Sequence, residues 1–168
     1  MQPKREAMMA TQKTGSQDAI ALLKQDHKTV RELLSKLEEA EGRERQSTLK
    51  TIEHELKVHT KIEEDIFYPA FREAAEKDED KDLFFEALEE HHVVALVLPE
   101  IKETDPDADE FKAKAKVLKD LVEHHAEEEE TEMFPRARKL MDRAQLMELG
   151  QQLADAKASL NGGAKARR

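Results

Sequence analysis

The sequence contains no cysteine and no tryptophan, a single tyrosine, and only five residues each of glycine and proline among 168. The absence of cysteine excludes disulfides, thiolate zinc sites, iron–sulfur clusters and cysteine nucleophiles, so any bound metal must be held by nitrogen and oxygen. Scarce glycine and proline argue against turn-rich all-β folds. A composition 39% charged and 38% hydrophobic is that of long amphipathic helices. Basic residues are outnumbered too: 28 Lys and Arg against 38 Asp and Glu give a net charge of −10. No broad positive face is left to neutralise phosphates, so neither nucleic acid nor an anionic membrane is expected as a partner. No apolar run approaches the roughly 20 residues of a membrane span. The N-terminus has no apolar signal-peptide core, and the expected location is the cytoplasm.

What the chain does contain is a repeat. His59 and Glu63 stand four residues apart, and the same pair returns as His125 and Glu129, with Tyr68-Pro69 answered by Phe134-Pro135 at the same displacement of 66 (125 − 59). Residues i and i+4 share a helix face, so each copy points an imidazole and a carboxylate the same way. The preceding helices repeat as well. Asp26-His27, Val30, Leu34 and Leu37 match Glu90-His91, Val94, Leu98 and Ile101, each displaced by 64 (91 − 27).

Apolar spacing of three and four predicts an all-α fold: an up-down-up-down four-helix bundle with internal twofold pseudo-symmetry and a short additional C-terminal helix. Residues 1–17 read as a flexible leader, 18–140 as the bundle, 141–160 as the last helix, packed across one end, and 161–168 as a disordered tail. Ser16 or Asp18 is the expected first cap, and Gly42 a left-handed stop. The second helix should start near Glu44 and be loosened by Pro69. The charge run from Glu76 to Asp82 reads as a loop before a third helix from about Lys81, bent by Pro99. Asp105 and Pro106 read as the N-cap and first residue of the fourth helix.

The spacing to the turns puts the polar residues at one level. His27 lies fifteen positions before Gly42 and His59 seventeen after it, a mismatch of about one helical turn or less. His27, His59, Glu63, His91, His125 and Glu129 therefore converge. For any single histidine, a hydrogen-bonded polar core layer is the better account. Four imidazoles and two carboxylates in one symmetric layer point to metal.

This pattern, a histidine on the first and third helices and His-x3-Glu on the second and fourth, resembles the hemerythrin-like, or HHE cation-binding, family over about Asp18 to Lys139. The resemblance implies that His27, His59, Glu63, His91, His125 and Glu129 are the ligands of a non-haem di-iron centre. It further implies that each glutamate bridges the two ions. Imidazole and carboxylate suit iron independently, with manganese or zinc as competitors. Four imidazoles, two bridging carboxylates and an oxo or hydroxo bridge leave room on two octahedral ions for a small ligand such as dioxygen or peroxide. The fifth histidine of oxygen-carrying hemerythrins has no counterpart, which argues against simple oxygen carriage.

The other polar residues read as bystanders. His54 is rotated about 140° from His59, His92 and His124 should point sideways, and Glu127, Glu128 and Glu130 read as a solvated face. Tyr68 reads as ordinary packing, with a hydrogen bond toward the ligands as the alternative. The expected function is binding or sensing of dioxygen or iron, signalled through an interaction surface such as a homodimer. The alternative is a di-iron enzyme acting on peroxide or oxidising iron.

Overall fold

The computed structural model describes residues 17–165, and the leader expected before Gln17 lies outside them. Among these residues the chain is helical: α1 (Ala19–Glu39), α2 (Gly42–Ile62), a π-helical turn (Glu63–Phe67), α3 (Tyr68–Ala74), α4 (Asp78–Glu103), α5 (Asp109–Glu128), a second π turn (Glu129–Met133), α6 (Phe134–Leu140) and α7 (Arg143–Lys165). The bundle is made by α1, α2, α4 and α5, with α3 and α6 prolonging α2 and α5 beyond the π turns.

Each start has a local cause. Asp18 is the first cap, its Oδ1 accepting from Ala21 N at 2.8 Å. A reciprocal capping box opens α7: Gln145 N donates to Asp142 Oδ1 at 2.9 Å, and Asp142 N to Gln145 Oε1 at 2.8 Å. Gly42 does adopt the left-handed region, φ 50°, but it begins α2 rather than ending α1, which is capped by extended Ala40. The expected loop over Glu76 to Asp82 is mostly helix, since α4 begins at Asp78. Asp78, Glu79 and Asp80 form the first turn of α4, where carboxylates complement the helix dipole, and Asp80 also accepts from Arg136 Nη1 at 2.8 Å. Asp105 does not cap α5. Its Oδ1 accepts from Asp107 N at 3.0 Å in a turn that includes Pro106, and Ala108 is the N-cap.

Pro69 loosens its helix in a specific way. Proline cannot donate to the carbonyl four residues back, and the preceding turn widens so that Tyr68 N bonds Glu63 O, five residues away. The same widening occurs before Pro135, where Phe134 N bonds Glu129 O.

Two apolar clusters fill the bundle, one containing Ile20, Leu23, Phe67, Phe71 and Phe134, the other Val30, Leu34, Ile52, Phe111 and Leu118. Buried Arg45 ties the loops at the far end of the second cluster together, its Nε donating to Ala40 O at 2.7 Å and its Nη1 to Pro106 O. Between the clusters lies a polar layer: His27, His59, Glu63, His91, His125 and Glu129 are all buried there.

The last helix does not lie across one end. It runs lengthwise against α1 and α2, with Gly150 beside Asp18 and Ala19, Lys157 at Asp26 and Asn161 at His54, and it continues helical past Asn161 to Lys165. Gly150 is what allows the approach, since a Cβ there would sit 2.2 Å from Gln17 O and 2.9 Å from Ala19 N. Both are backbone atoms that no rotamer change can move. Gly150→Ala is therefore expected to cost about 2–3 kcal/mol by forcing α7 outward, measured by urea denaturation. Unchanged stability would mean that α7 is not held against α1.

Candidate metal centre

The four imidazoles come in pairs, from α1 and α2 (His27, His59) and from α4 and α5 (His91, His125), with ring centroids 4.9 Å and 4.6 Å apart. Between the pairs stand the two carboxylates, each the first residue of a π turn. Glu63 spans the layer: Oε1 lies 3.2 Å from His59 Nε2, and Oε2 lies 3.3 Å from His91 Nε2. Glu129 turns Oε2 to both pairs, 3.1 Å from His27 Nε2 and 3.7 Å from His125 Nε2. Two donor groups result, each with its atoms within 4.8 Å of one another: His27, His59, Glu63 and Glu129 in the first, Glu63, His91 and His125 in the second. All six residues singled out in the sequence are thus brought together. His92 and His124 point to solvent, and His54 bonds Asn161 through Nε2 at 2.8 Å.

Every imidazole has a carboxylate behind it. Nδ1 of His27 faces Glu130 at 2.8 Å, that of His91 faces Glu64 at 2.9 Å, that of His125 faces Glu90 at 2.7 Å, and that of His59 lies 3.6 Å from Asp26. The arrangement obeys the twofold: residues preceding His27 and His91 serve α2 and α5, and residues following Glu63 and Glu129 serve α4 and α1. A proton on Nδ1 directed at a carboxylate leaves the Nε2 lone pair pointing inward, the tautomer a metal ligand requires. Asp26 is in turn held by Lys157 of α7. Glu130 is therefore not part of a solvated face, and its second partner is Arg31 Nη1 at 2.8 Å.

Tyr68 does more than pack. It is fully buried, and its hydroxyl donates to Glu129 Oε1 at 2.8 Å while its ring stacks on His91 with centroids 5.5 Å apart. In an α-helix, Tyr68 would be rotated about 140° from Glu63. The π turn stacks them on one face, as it stacks Phe134 under His27 at 5.7 Å. Phe134 has no hydroxyl, so the phenol breaks the twofold and favours Glu129 alone. Tyr68→Phe removes a hydrogen bond to a buried carboxylate and is expected to cost the metal-free protein about 1.5–3 kcal/mol. Chemical denaturation measures this, and a loss under about 0.5 kcal/mol, the range of neutral surface changes, would contradict the assigned bond.

Electrostatics divide the two glutamates. Burial pushes the Glu63 carboxyl well above the ordinary range, and the nearby Glu129 charge adds to that. Glu129 is equally buried, yet His125 and His27 draw it far below its usual value. One proton between two carboxyls is the expected consequence. Burial lowers His59 to about 4 and also lowers His91, which faces His125. Burial opposes protonation of His27 as well, but Glu129 and Glu130 outweigh it and raise its pKa.

These donors are short of partners. Among the described residues, Asp26 Oδ2, His27 Nε2, both nitrogens of His59, both oxygens of Glu63 and Glu129 Oε2 are buried without a hydrogen bond. His91 Nε2 and His125 Nε2 face each other at 3.1 Å, although each ring already has a carboxylate for its Nδ1 proton. Lone pairs converging this way are unfavourable unless a cation lies between them. The donor set, nitrogen and oxygen with oriented imidazoles, fits one. Next to the imidazoles is a void of about 20 Å³ whose other walls are Thr60 and apolar residues that include Val30, Leu56, Val94, Val122 and Ala126.

Comparison with known proteins agrees with this geometry. The family model described as the hemerythrin HHE cation binding domain matches residues 18–137. The crystal structure of a hemerythrin HHE cation binding domain-containing protein from Mycobacterium kansasii superposes with a TM-score of 0.78 at 28% identity, covering 90% of this chain and 91% of that one. A DNA nickase of Nostoc sp. is 26% identical over 140 residues, which are 83% of this chain but 39% of that protein. The chain thus spans well under half the length of this curated relative.

Proposed function

This chain belongs to the hemerythrin HHE cation-binding domain family, and from that premise we propose that it holds a pair of iron ions with which it binds or senses dioxygen or iron. The observation that carries the reading is the set of buried, unpartnered nitrogen and oxygen atoms converging from four helices. When bound, a pair of irons supplies reversible redox chemistry and open coordination positions for a small molecule. His27, His59, Glu63 and Glu129 would hold one ion, and Glu63, His91 and His125 the other. Iron is preferred over manganese or zinc because four imidazoles with two carboxylates balance nitrogen and oxygen donors.

The remaining work falls to the chain's own atoms. Glu130, Glu64 and Glu90 hold the tautomers of His27, His91 and His125, Asp26 lies 3.6 Å behind His59, and Tyr68 keeps a proton on its hydroxyl aimed at Glu129 Oε1. Burial raises the tyrosine pKa, with the charges of Glu129 and Glu63 adding to it, so the phenol stays protonated. Val30, Leu56, Val94 and Val122 keep bulk water from the void. A second reading, an enzyme that consumes peroxide, is favoured by this same enclosed space beside all four imidazoles, with the Tyr68 hydroxyl bonded to Glu129 of the same donor layer. Nicking of DNA is the activity named for the longer relative, whereas a chain of net charge −10 repels phosphates.

Iron analysis with absorption spectra, before and after reduction and exposure to oxygen or peroxide, tests the proposal. About two irons per chain, with bands that bleach on reduction and return in oxygen, are expected for reversible binding or sensing. Sustained peroxide consumption would select the enzyme. A folded protein that takes up no iron would overturn both.

A further inference from the structure

The two halves of the bundle differ at the surface over the centre, and the difference leaves one side open. On the α1–α5 side, Arg31 lies across the seam and bonds Glu130, the carboxylate behind His27, at 2.8 Å. The twofold places Ala95 of α4 where Arg31 stands on α1 (31 + 64), and Glu64 where Glu130 stands. Among the described residues no guanidinium covers Glu64, whose side chain is 40% exposed against 24% for Glu130. In its place is a groove of about 250 Å³ between α2 and α4, lined by Ala95, Glu64 and Lys61 among others. The groove and the void beside the imidazoles share Leu56, Thr60, His91 and Val94. A single layer of side chains divides them, and α2 and α4 are also the most loosely packed neighbours of the bundle.

We propose that small neutral molecules reach the centre through this α2–α4 seam, with its mouth at Ala95 and Glu64 and its neck at Thr60 and Val94. The inference rests on reading the buried donors as a metal centre. The void, about 20 Å³ on a measure by which a single water needs about 10–15 Å³, admits a water-sized or diatomic molecule and not an organic substrate. At the mouth Glu53 is paired to Lys57 at 2.7 Å and Lys61 to Asp65, which among the described residues leaves Glu64 as the one carboxylate there without a lysine or arginine partner. The inner wall offers one hydroxyl, from Thr60, among aliphatic groups. Dioxygen, nitric oxide and hydrogen peroxide meet these limits, whereas ions would shed their hydration at the apolar neck.

The missing closure can be supplied. Ala95→Arg places a guanidinium beside Glu64 in the manner of Arg31 beside Glu130, at an exposed helix position that does not disturb the core. The probe is nitric oxide, mixed with the reduced, iron-loaded full chain and followed by stopped-flow absorbance, with iron content measured on the same samples. Association is expected to slow about tenfold, with iron content and final absorbance change unaltered, because a blocked route changes rates and not the equilibrium. Val94→Phe narrows the neck and is expected to act in the same direction. Wild-type rates in both variants, at full iron content, would overturn the route while leaving the metal centre standing. A wild-type chain that takes up no iron would instead overturn the metal reading, and the route with it.

Discussion

Glu63→Ala will lose iron from both positions, and Glu129→Ala will lose it mainly from one. The expectation comes from the unequal reach of the two carboxylates. Glu63 directs separate oxygens at the two histidine pairs, 3.2 Å from His59 and 3.3 Å from His91, and belongs to both donor groups. Glu129 has one oxygen bound to Tyr68 and belongs to the first group alone. Removing Glu63 leaves the second group with two imidazoles and only the Glu129 oxygen that lies nearer the first, 3.7 Å from His125, too few donors to hold a divalent or trivalent ion against water. Iron content of Glu63→Ala is expected to fall from about two ions per chain to a small fraction of one. In Glu129→Ala the set of Glu63, His91 and His125 remains intact. Metal analysis after iron loading and gel filtration decides between them, and full iron content in Glu63→Ala would refute its bridging role. The metal-free fold should survive, since a buried carboxyl without a hydrogen bond contributes little to it.

Stripping the metal is the second large effect, and its dependence on pH has a definite sign. At metal concentrations about a thousandfold above the dissociation constant, binding stabilises the fold by about 4 kcal/mol. At about 2–4 °C per kcal/mol for a chain of this size, chelation should lower the melting temperature by about 10 °C. Metal-free, the protein is pulled in two directions. His59 is held neutral with its pKa down at about 4, so its contribution is present above the ordinary 6.5 and lost as pH falls toward 4. That loss is roughly 3 kcal/mol. Glu63 and His27 have raised values, and their contributions are present at low pH and lost as pH rises through those values. Metal requires the same two groups without their protons, so binding releases protons and strengthens as pH rises. The gap between loaded and chelated melting temperatures is therefore expected to widen from pH 5.5 to pH 8, by scanning calorimetry. A constant or shrinking gap would mean that Glu63 and His27 are already deprotonated in the metal-free fold.

The six central residues were legible because each His-x3-Glu pair lies on one helix face and the pairs recur at a fixed displacement. The bundle was legible for the same reason, since apolar steps of three and four continue through most of α1, α2, α4 and α5. What escaped were features that depart from that period or come from outside the repeat. Tyr68 and Phe134 sit five residues past their glutamates, a spacing that an α-helix would send sideways and a π turn brings into line. Proline at the next position was the available signal, since it withdraws the donor that a regular turn needs. Glu64 and Glu130 look like members of exposed acidic runs, and only the helix packing turns them toward His91 and His27. Their occurrence in both copies, like that of Asp26 and Glu90, was a usable hint. Lys157 had no such mark, because α7 lies outside the repeat altogether.

That last attachment makes the C-terminal helix a party to the chemistry at the centre. Asp26 sits between Lys157 and His59, 3.6 Å from the ring, so the charge behind one imidazole is set in part by a helix that is not one of the four bundle helices. Linkage of this kind runs both ways: whatever α7 adds to the grip on the metal, the metal returns as grip on α7. On the proposed metal reading, a change at the centre would be felt at α7 through Asp26 and Lys157.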